Sequence, residues 1–385
     1  MKHLISASLL ALSLALAAAP PQAEAQSDIL LRLRSGSPLG DRFRVDSAGS
    51  VVAIGELGIG IIPATGCGYR MMWYSYRASF RAGGTDDNGA CAYWDDANQG
   101  FYSWAGGNLT TASQYATFAF GDRTVASASY AIAFGQQTEA SGQYALAHGY
   151  QSKCQGSYCL GYGYISNADG QAAIAMGYRS TADADYSVAI GYRASTNGHS
   201  GSFVFADFST TDSVEASANN QFMSRFAGGY RLYTNATETV GVSLSAGGSS
   251  WNVISDATRK EHFLSIDGED ILSRIRTLPV TTWRYIDEEN RAVRHIGPMA
   301  QDWERAFGFS GDPTSINMSD FDGVNLAGIQ ALERRTAGQE TRIRALEAEN
   351  ARLREENAAL QAQLREQNAA TEERLRRLEA LLPTP

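Results

Sequence analysis

Lysine is almost missing from this 385-residue chain. Lys2, Lys153 and Lys260 are the three lysines among 32 basic residues, so arginine carries nearly all the positive charge. Arginine keeps its proton and cannot act as a base, which leaves Lys260 as the one amine after the middle of the chain that can. Positive charge is also outnumbered, with 41 acidic residues and a net charge of −9. A nucleic-acid partner calls for a basic face, and this balance argues against one. Four cysteines and five histidines show no zinc-ligand spacing, and neither a metal nor a cofactor site is read. Long apolar runs are missing too, except one from Leu4 to Ala19. Lys2 and His3 precede it and the small-x-small signature Ala23-Glu24-Ala25 follows. That order is a signal peptide cleaved after Ala25, and the run is short for a membrane span. The expectation is a secreted or cell-surface protein with no membrane span once the signal is removed. Cys67, Cys91, Cys154 and Cys159 then sit in an oxidising compartment. Three connectivities are possible, and the local pairs Cys67–Cys91 and Cys154–Cys159 are the simplest.

What is present is a repeat. Gly121, Gly135, Gly149, Gly163, Gly177 and Gly191 lie fourteen residues apart. Two residues before each stands Ala119, Ala133, Ala147, Gly161, Ala175 or Ala189, and small residues recur three and five positions after. A short constant period with small residues at fixed phases is a solenoid signature, each coil burying its face on its neighbours. Glycine is expected to supply the turns. Phe120, Phe134, Tyr150, Tyr178 and Tyr192 are too large for so narrow an interior and must face outward, toward another protomer. The regular aspartates of calcium-binding nonapeptide coils are missing, and so is the Thr-x-Thr ladder of an ice-binding face. The repeats resemble the head of trimeric autotransporter adhesins, which implies a left-handed parallel β-roll built as a trimer. The membrane-anchor barrel of those adhesins has no counterpart here, so self-export does not follow.

Before the repeats, residues 26–110 read as a β-rich cap, with Val51–Gly55 and Gly58–Ile62 as short strands. Its aromatics, Trp73, Tyr74, Trp94, Phe101, Tyr102 and Trp104, read as core or subunit interface, with a ligand-binding tip as the alternative. After the repeats, Ser202–Asp207 breaks the period and caps the solenoid. Two strands around Gly228-Gly229 suggest a hairpin, and Gly247–Ser250 a polar linker.

Ser255 and Lys260 then stand five residues apart. A hydroxyl nucleophile needs a base. On a helix this spacing separates the two by roughly 140°, and on a strand it puts them on opposite faces. A Ser/Lys dyad therefore requires the chain to bend between them. The lysine must also be neutral, and an unperturbed lysine titrates near ~10.4, so burial or a nearby cation such as Arg259 has to lower it.

The residues that follow extend the pattern: Phe263, Ile271-Leu272, Leu278-Pro279-Val280, Trp283-x-Tyr285, His295-Ile296-Gly297-Pro298-Met299-Ala300-Gln301-Asp302, and Asp322-Gly323-Val324 before a helix. Over residues 255–331 this resembles the endosialidase-type intramolecular chaperone, the auto-processing peptidase domain at the C-terminus of phage tail spikes and fibres. The middle of its motif departs from the family, with Ala257-Thr258 where an Arg or Asn often follows Ser-Asp. The resemblance implies a domain that trimerises, guides folding of the β-rich part upstream, and cuts itself off with Ser255 as nucleophile and Lys260 as base. His295 either orients this dyad or the oxyanion, or is a hydrogen-bonding residue of its strand. Asp256 and Asp302 read as turn and cap residues. Glu269–Arg276 and Ala300–Phe307 read as helices, and Val280–Tyr285 and Val293–Ile296 as strands.

From Asn325 to Leu382 the period becomes heptad, with Ile329, Ile343, Leu364 and Leu378 at a and Leu332, Leu346, Leu353 and Leu360 at d. That is a coiled coil roughly 80 Å long. Asn350 and Asn357, also at a, normally favour two strands, whereas both resemblances imply three.

The reading is a signal peptide (1–25), a β-rich cap (26–110), a β-roll head (111–207), a β neck and linker (208–250), an auto-processing chaperone domain of small α/β fold (251–331) and a coiled coil (332–385). The chain is expected to partner itself as a homotrimer and to present its head to a cell-surface or glycan ligand. The alternative is a structural or adhesive surface protein whose C-terminal domain trimerises and never cuts. A glycan-degrading head ranks below both, because Asp183, Asp185 and Asp207 lack a clear carboxylate partner.

Overall fold

Alanine sets the width of the repeat region. The computed structural model describes residues 29–35, 40–86, 91–288, 290–309 and 311–380; the expected signal peptide lies outside them. The chain divides into two compact units, Met1–Tyr230 with Leu244–Ser250, and Arg231–Ser243 with Trp251–Pro385.

The first unit holds a β-solenoid of about seven turns over residues 104–206. Each turn supplies one five-residue strand, such as Ile132–Gln136, and one two-residue strand, such as Glu139–Ala140. Among the described residues the long strands stack into an 11-stranded sheet and the short ones into an 8-stranded sheet. Neighbours pair in parallel with Ile132 opposite Leu146 and Gly135 opposite Gly149, so the period of the sequence is the length of one coil. Ala119, Ala133 and Ala147 from the long strands and Ala126, Ala140 and Ala168 from the short ones are fully buried. Two rows of methyl groups fill a ring this small, and larger side chains would force the sheets apart. A third inward row carries hydroxyls, of which Ser152, Ser166 and Ser180 donate to the Gly163, Gly177 and Gly191 carbonyls at 2.9, 3.0 and 3.0 Å.

Phe120, Phe134 and Tyr178 project outward and are about two-fifths exposed. They stack along the solenoid, with Phe120 on Phe134 at 5.6 Å, Tyr150 on Tyr164 at 5.0 Å and Tyr178 on Tyr192 at 5.0 Å between ring centroids.

The glycines do a different job from the one their spacing implies. Gly121 to Gly191 lie inside the long strands at φ between 115° and 130°, and a Cβ on Gly135 would collide with the Gly149 carbonyl one coil on. They permit close stacking of backbone on backbone. The corners of each coil are left-handed residues with side chains, among them Gln137 (φ 55°), Gln151 (52°), Tyr144 (58°) and Tyr158 (61°). Such a residue costs roughly 1–2 kcal/mol. Each corner amide is locked by a carbonyl fifteen residues upstream, as Gln151 to Gln136 at 2.9 Å and Tyr144 to Ser129 at 3.1 Å.

The ends of the solenoid need closing, since an open coil leaves buried carbonyls without donors. At the N-terminal end Arg81 sits in register with Ala105, fully buried. Its guanidinium donates to the carbonyls of Phe80 (2.8 Å), Ser103 (3.0 Å) and Ala112 (2.9 Å) and to the Ser103 hydroxyl (2.8 Å). Burial draws its pKa down to about 9, which still leaves the cation charged at neutral pH. Trp94, fully buried, donates its indole N–H to the Thr110 carbonyl at 2.8 Å. The aromatics of this region are thus split: Trp94 and Tyr74 are core, while Tyr69, Trp73, Tyr102 and Trp104 are exposed. Gly58–Ile62 is not a strand.

At the other end the period breaks, yet the sheet runs on. Phe203–Ala206 pairs with Val188–Gly191, and Phe222–Arg225 with Phe203–Ala206. The hairpin expected around Gly228-Gly229 does not form. Met223 opposite Val204 packs on the solenoid core, and that burial holds Phe222–Arg225 to the last coil. Gly229–Tyr233 instead joins Gly241–Ser245 and Asn252–Val253 in a three-stranded sheet.

Both disulfides are local, Cys67–Cys91 with Cα atoms 4.6 Å apart and Cys154–Cys159 with 5.7 Å. The second takes two interior positions, replacing the alanines that neighbouring coils place there, such as Ala140 and Ala145.

In the second unit, α1 (Gly268–Thr277), α2 (Ala300–Phe307) and α3 (Met318–Glu379) surround Ile271, Trp303, Phe307, Val324 and Ala327. Gly328 and Ala331 on α3 leave room for α1, and a Cβ on Gly328 would press on Ile275. An ion pair between Arg335 and Glu269 ties the same two helices. Thr281–Trp283 and His295–Gly297 form an antiparallel pair. α3 starts seven residues before the expected Asn325, because the Asn317 side chain caps it by accepting the Ser319 N–H at 2.8 Å. Asp322-Gly323-Val324 therefore lies inside that helix.

Candidate functional site

The bend that the Ser255–Lys260 spacing demands is present, and a carboxylate makes it. Strand Asn252–Val253 pairs with Gly241–Ser245, with Val253 opposite Val242, and the Ile254 amide still reaches the Gly241 carbonyl at 3.3 Å. Extended pairing stops there. Asp256 accepts the Thr258 N–H at 2.8 Å and caps a single 3₁₀ turn, Ala257–Arg259. The same backbone hydrogen bond, foremost among its contacts, holds the Asp256 carboxyl below the usual carboxylate range. Lys260 leaves the turn extended, with φ −126° and ψ 150°. Its side chain then folds back, and Nζ lies 2.7 Å from the Ser255 Oγ.

The two residues are thus brought to hydrogen-bond distance within one chain by strand, cap and turn. Both are exposed in it. The geometry allows an amine to take the proton of the hydroxyl if the amine arrives neutral.

His295 occupies a different set of contacts. It lies across from Trp283 in the strand pair, its ring 4.7 Å from the Trp283 ring and 5.6 Å from that of Tyr285. Its Nε2 is 3.3 Å from Glu288 Oε1. Among the described residues no hydrogen bond joins His295 to Ser255 or Lys260. Glu288 was not singled out by sequence. The signal was there in principle: an acid seven residues before a histidine, across the turn that joins two short strands. Its second oxygen and the Trp283 indole nitrogen are buried without a partner among the described residues. Asp302 lies in the first turn of α2 and pairs with Arg305 at 2.7 Å.

Among the described residues one group of metal-ligating side chain types gathers. Cys67, Asp86 and Cys91 come within ligand distance of one another, but the two sulfurs are bonded to each other and supply no thiolate. Among the described residues no helix is long and apolar enough to cross a membrane.

No curated protein matches the chain. Family comparison divides it as the two resemblances did: residues 112–138, 126–152 and 168–194 match the YadA head domain repeat, and residues 255–311, beginning at the serine itself, match the chaperone of endosialidase.

Proposed function

We propose that this is an exported, homotrimeric surface or fibre protein whose C-terminal domain assembles the trimer and then cuts the chain beside Ser255. The observation that carries the reading is the 2.7 Å approach of Lys260 Nζ to Ser255 Oγ at the first residue of the matched chaperone segment. In the reaction, neutral Lys260 takes the hydroxyl proton as Oγ attacks the scissile carbonyl carbon. The peptide C–N bond breaks and the amine departs with that proton. The acyl ester is hydrolysed by one water, which restores the hydroxyl. The contacts of His295 with Glu288 and Trp283 support the reading of it as a hydrogen-bonding residue of its strand.

Self-association is supported by what each unit leaves uncovered. The outward long-strand rows of the solenoid are apolar, with Ile132, Phe134 and Leu146 exposed. On α3, Ile329, Leu332, Ile343, Leu346 and Leu353 line an exposed stripe of the kind that three parallel helices bury. Closing non-local β contacts is slow. A coiled coil that forms first raises the local concentration of the heads.

One observation favours a second reading, in which the domain trimerises and never cuts: Ser255 and Lys260 are both exposed in the single chain. A denaturing gel separates the two. Cleavage beside Ser255 splits the 385 residues into pieces of roughly 250 and 130. Wild type is expected to show both fragments, and Ser255→Ala and Lys260→Ala one full-length band. Intact wild-type chains in a well-formed trimer would leave the scaffold and remove the peptidase.

A further inference from the structure

The corner that precedes each long strand carries a row of phenols. Tyr130, Tyr144 and Tyr158 hold it in three consecutive coils, left-handed at φ 63°, 58° and 61°. Ala172 takes that corner in the next coil and ends the run. The rings stack face to face, Tyr130 on Tyr144 at 4.8 Å and 3° between ring planes, Tyr144 on Tyr158 at 5.1 Å and 9°. All three stay open to solvent, at 42%, 45% and 58% exposure.

The backbone fixes this spacing. The amides of Tyr130, Tyr144 and Tyr158 donate to the carbonyls of Tyr115, Ser129 and Gln143 at 2.9, 3.1 and 2.8 Å, so each corner is tied to the coil before it. An ordinary surface tyrosine meets a second phenol only by collision. Here a second ring is already in place, which turns a bimolecular coupling into an intramolecular one.

We propose that this ladder is a site of oxidative cross-linking, in which Tyr144 is bonded to Tyr130 or Tyr158 and adjacent coils are joined covalently. The oxidant it needs is hydrogen peroxide, used by a haem peroxidase. Each phenol gives up one electron and its O–H proton and becomes a phenoxyl radical whose spin reaches the carbons ortho to oxygen. Two ortho carbons join in a C–C bond, and the hydrogen on each moves to its own oxygen, which restores both phenols. The protein loses two hydrogens, and one peroxide takes them up as two waters.

A second ladder shows what sets this one apart. Tyr150, Tyr164, Tyr178 and Tyr192 stack as closely, but the Arg179 and Arg193 guanidiniums lie over Tyr178 and Tyr192 at 5.6 and 5.8 Å. A cation held on a ring opposes removal of an electron from it. Tyr150 is also less exposed than any of the three corner tyrosines. The inference stands on ring geometry alone and does not depend on whether the chain trimerises or cuts itself.

The test treats the purified full-length protein with a haem peroxidase and hydrogen peroxide, then reads dityrosine fluorescence on a denaturing gel and the tryptic peptides by mass spectrometry. Wild type is expected to fluoresce in single-chain bands, with Tyr130–Tyr144 or Tyr144–Tyr158 joined and two hydrogens lost. Tyr144→Phe keeps the stacked ring and removes the phenol that both pairs share. Tyr130→Phe with Tyr158→Phe leaves Tyr144 without a partner. Each is expected to lose most of the signal while its circular dichroism matches wild type, and Tyr164→Phe, in the other ladder, is expected to keep it. No dityrosine in wild type, a signal that survives both corner variants, or dityrosine found solely between chains would overturn the proposal.

Discussion

The solenoid and the C-terminal unit solve the problem of a core in opposite ways. The solenoid is filled to the last methyl group, with Ala119, Ala133, Ala147 and their partners fully buried, and each coil closes the one before. The C-terminal unit has one small cluster around Trp303 and leaves Leu264 and Ile286 each 88% exposed and Ile296 74% exposed. The difference teaches that coil-to-coil stacking needs only the neighbouring coil, while the C-terminal unit leaves much of its apolar surface uncovered within one chain.

The sharpest way to test that contrast is at the dyad. Lys260→Arg keeps a long side chain with hydrogen-bond donors but removes the base. Self-cleavage is expected to vanish on a gel while circular dichroism and oligomeric state stay as in wild type; continued cleavage would place the base elsewhere. Next in size is Gly149→Val, which sets a branched side chain at φ 118° against the Gly163 carbonyl. It is expected to destroy the head, by more than about 4 kcal/mol, read as loss of the β signal on heating. Because each coil leans on the next, the damage should spread to neighbouring coils and spare α3. A smaller loss is expected from Trp303→Ala, about 3–5 kcal/mol for a buried indole, seen as earlier melting of helix with the β signal retained. If the head melts with it, the two units do not hold themselves together separately.

Two milder changes probe the solenoid alone. Cys154→Ala with Cys159→Ala restores the alanines of the repeat and opens a short loop, so the expected cost is at most about 2 kcal/mol, measured as a shifted denaturation midpoint. Asp207 is the smallest. The Ala227 N–H at 2.6 Å, with Ser209 and Arg225, draws its pKa down to about 2. A carboxyl whose folded pKa lies below its unfolded one contributes stability above the unfolded value and loses it as pH falls through the folded one. Wild type should therefore lose this contribution between about pH 4 and pH 2, and Asp207→Asn should lack it at neutral pH and melt without that step.

Much of this was legible in the residues, and the reasons are local. A period of fourteen with alanine at fixed phases can only stack, since no other arrangement hides so many small side chains in register. Helix α1 announced itself through Pro279 just beyond its end. The pairing of Ser255 with Lys260 came from the resemblance to the endosialidase-type chaperone, and the spacing added only the demand for a bend. What escaped was whatever depends on partners distant in sequence. The corner angles of Gln137 and Tyr144 are held by carbonyls of the preceding coil, so no window of sequence around them could show which residues would be left-handed. Arg81 looked like any strand arginine until the open end of the solenoid gave its guanidinium three carbonyls to bind.

The sequence by itself determined the coil length and the outward aromatics, because both are written in the spacing of the repeat. Only the tertiary structure decided that the sheet continues past the broken period to Phe222–Arg225. It also decided that His295 turns to Glu288 and that Asp256 curls the chain until Lys260 meets Ser255. These outcomes depend on burial and hydrogen-bond partners that exist only once the chain has folded.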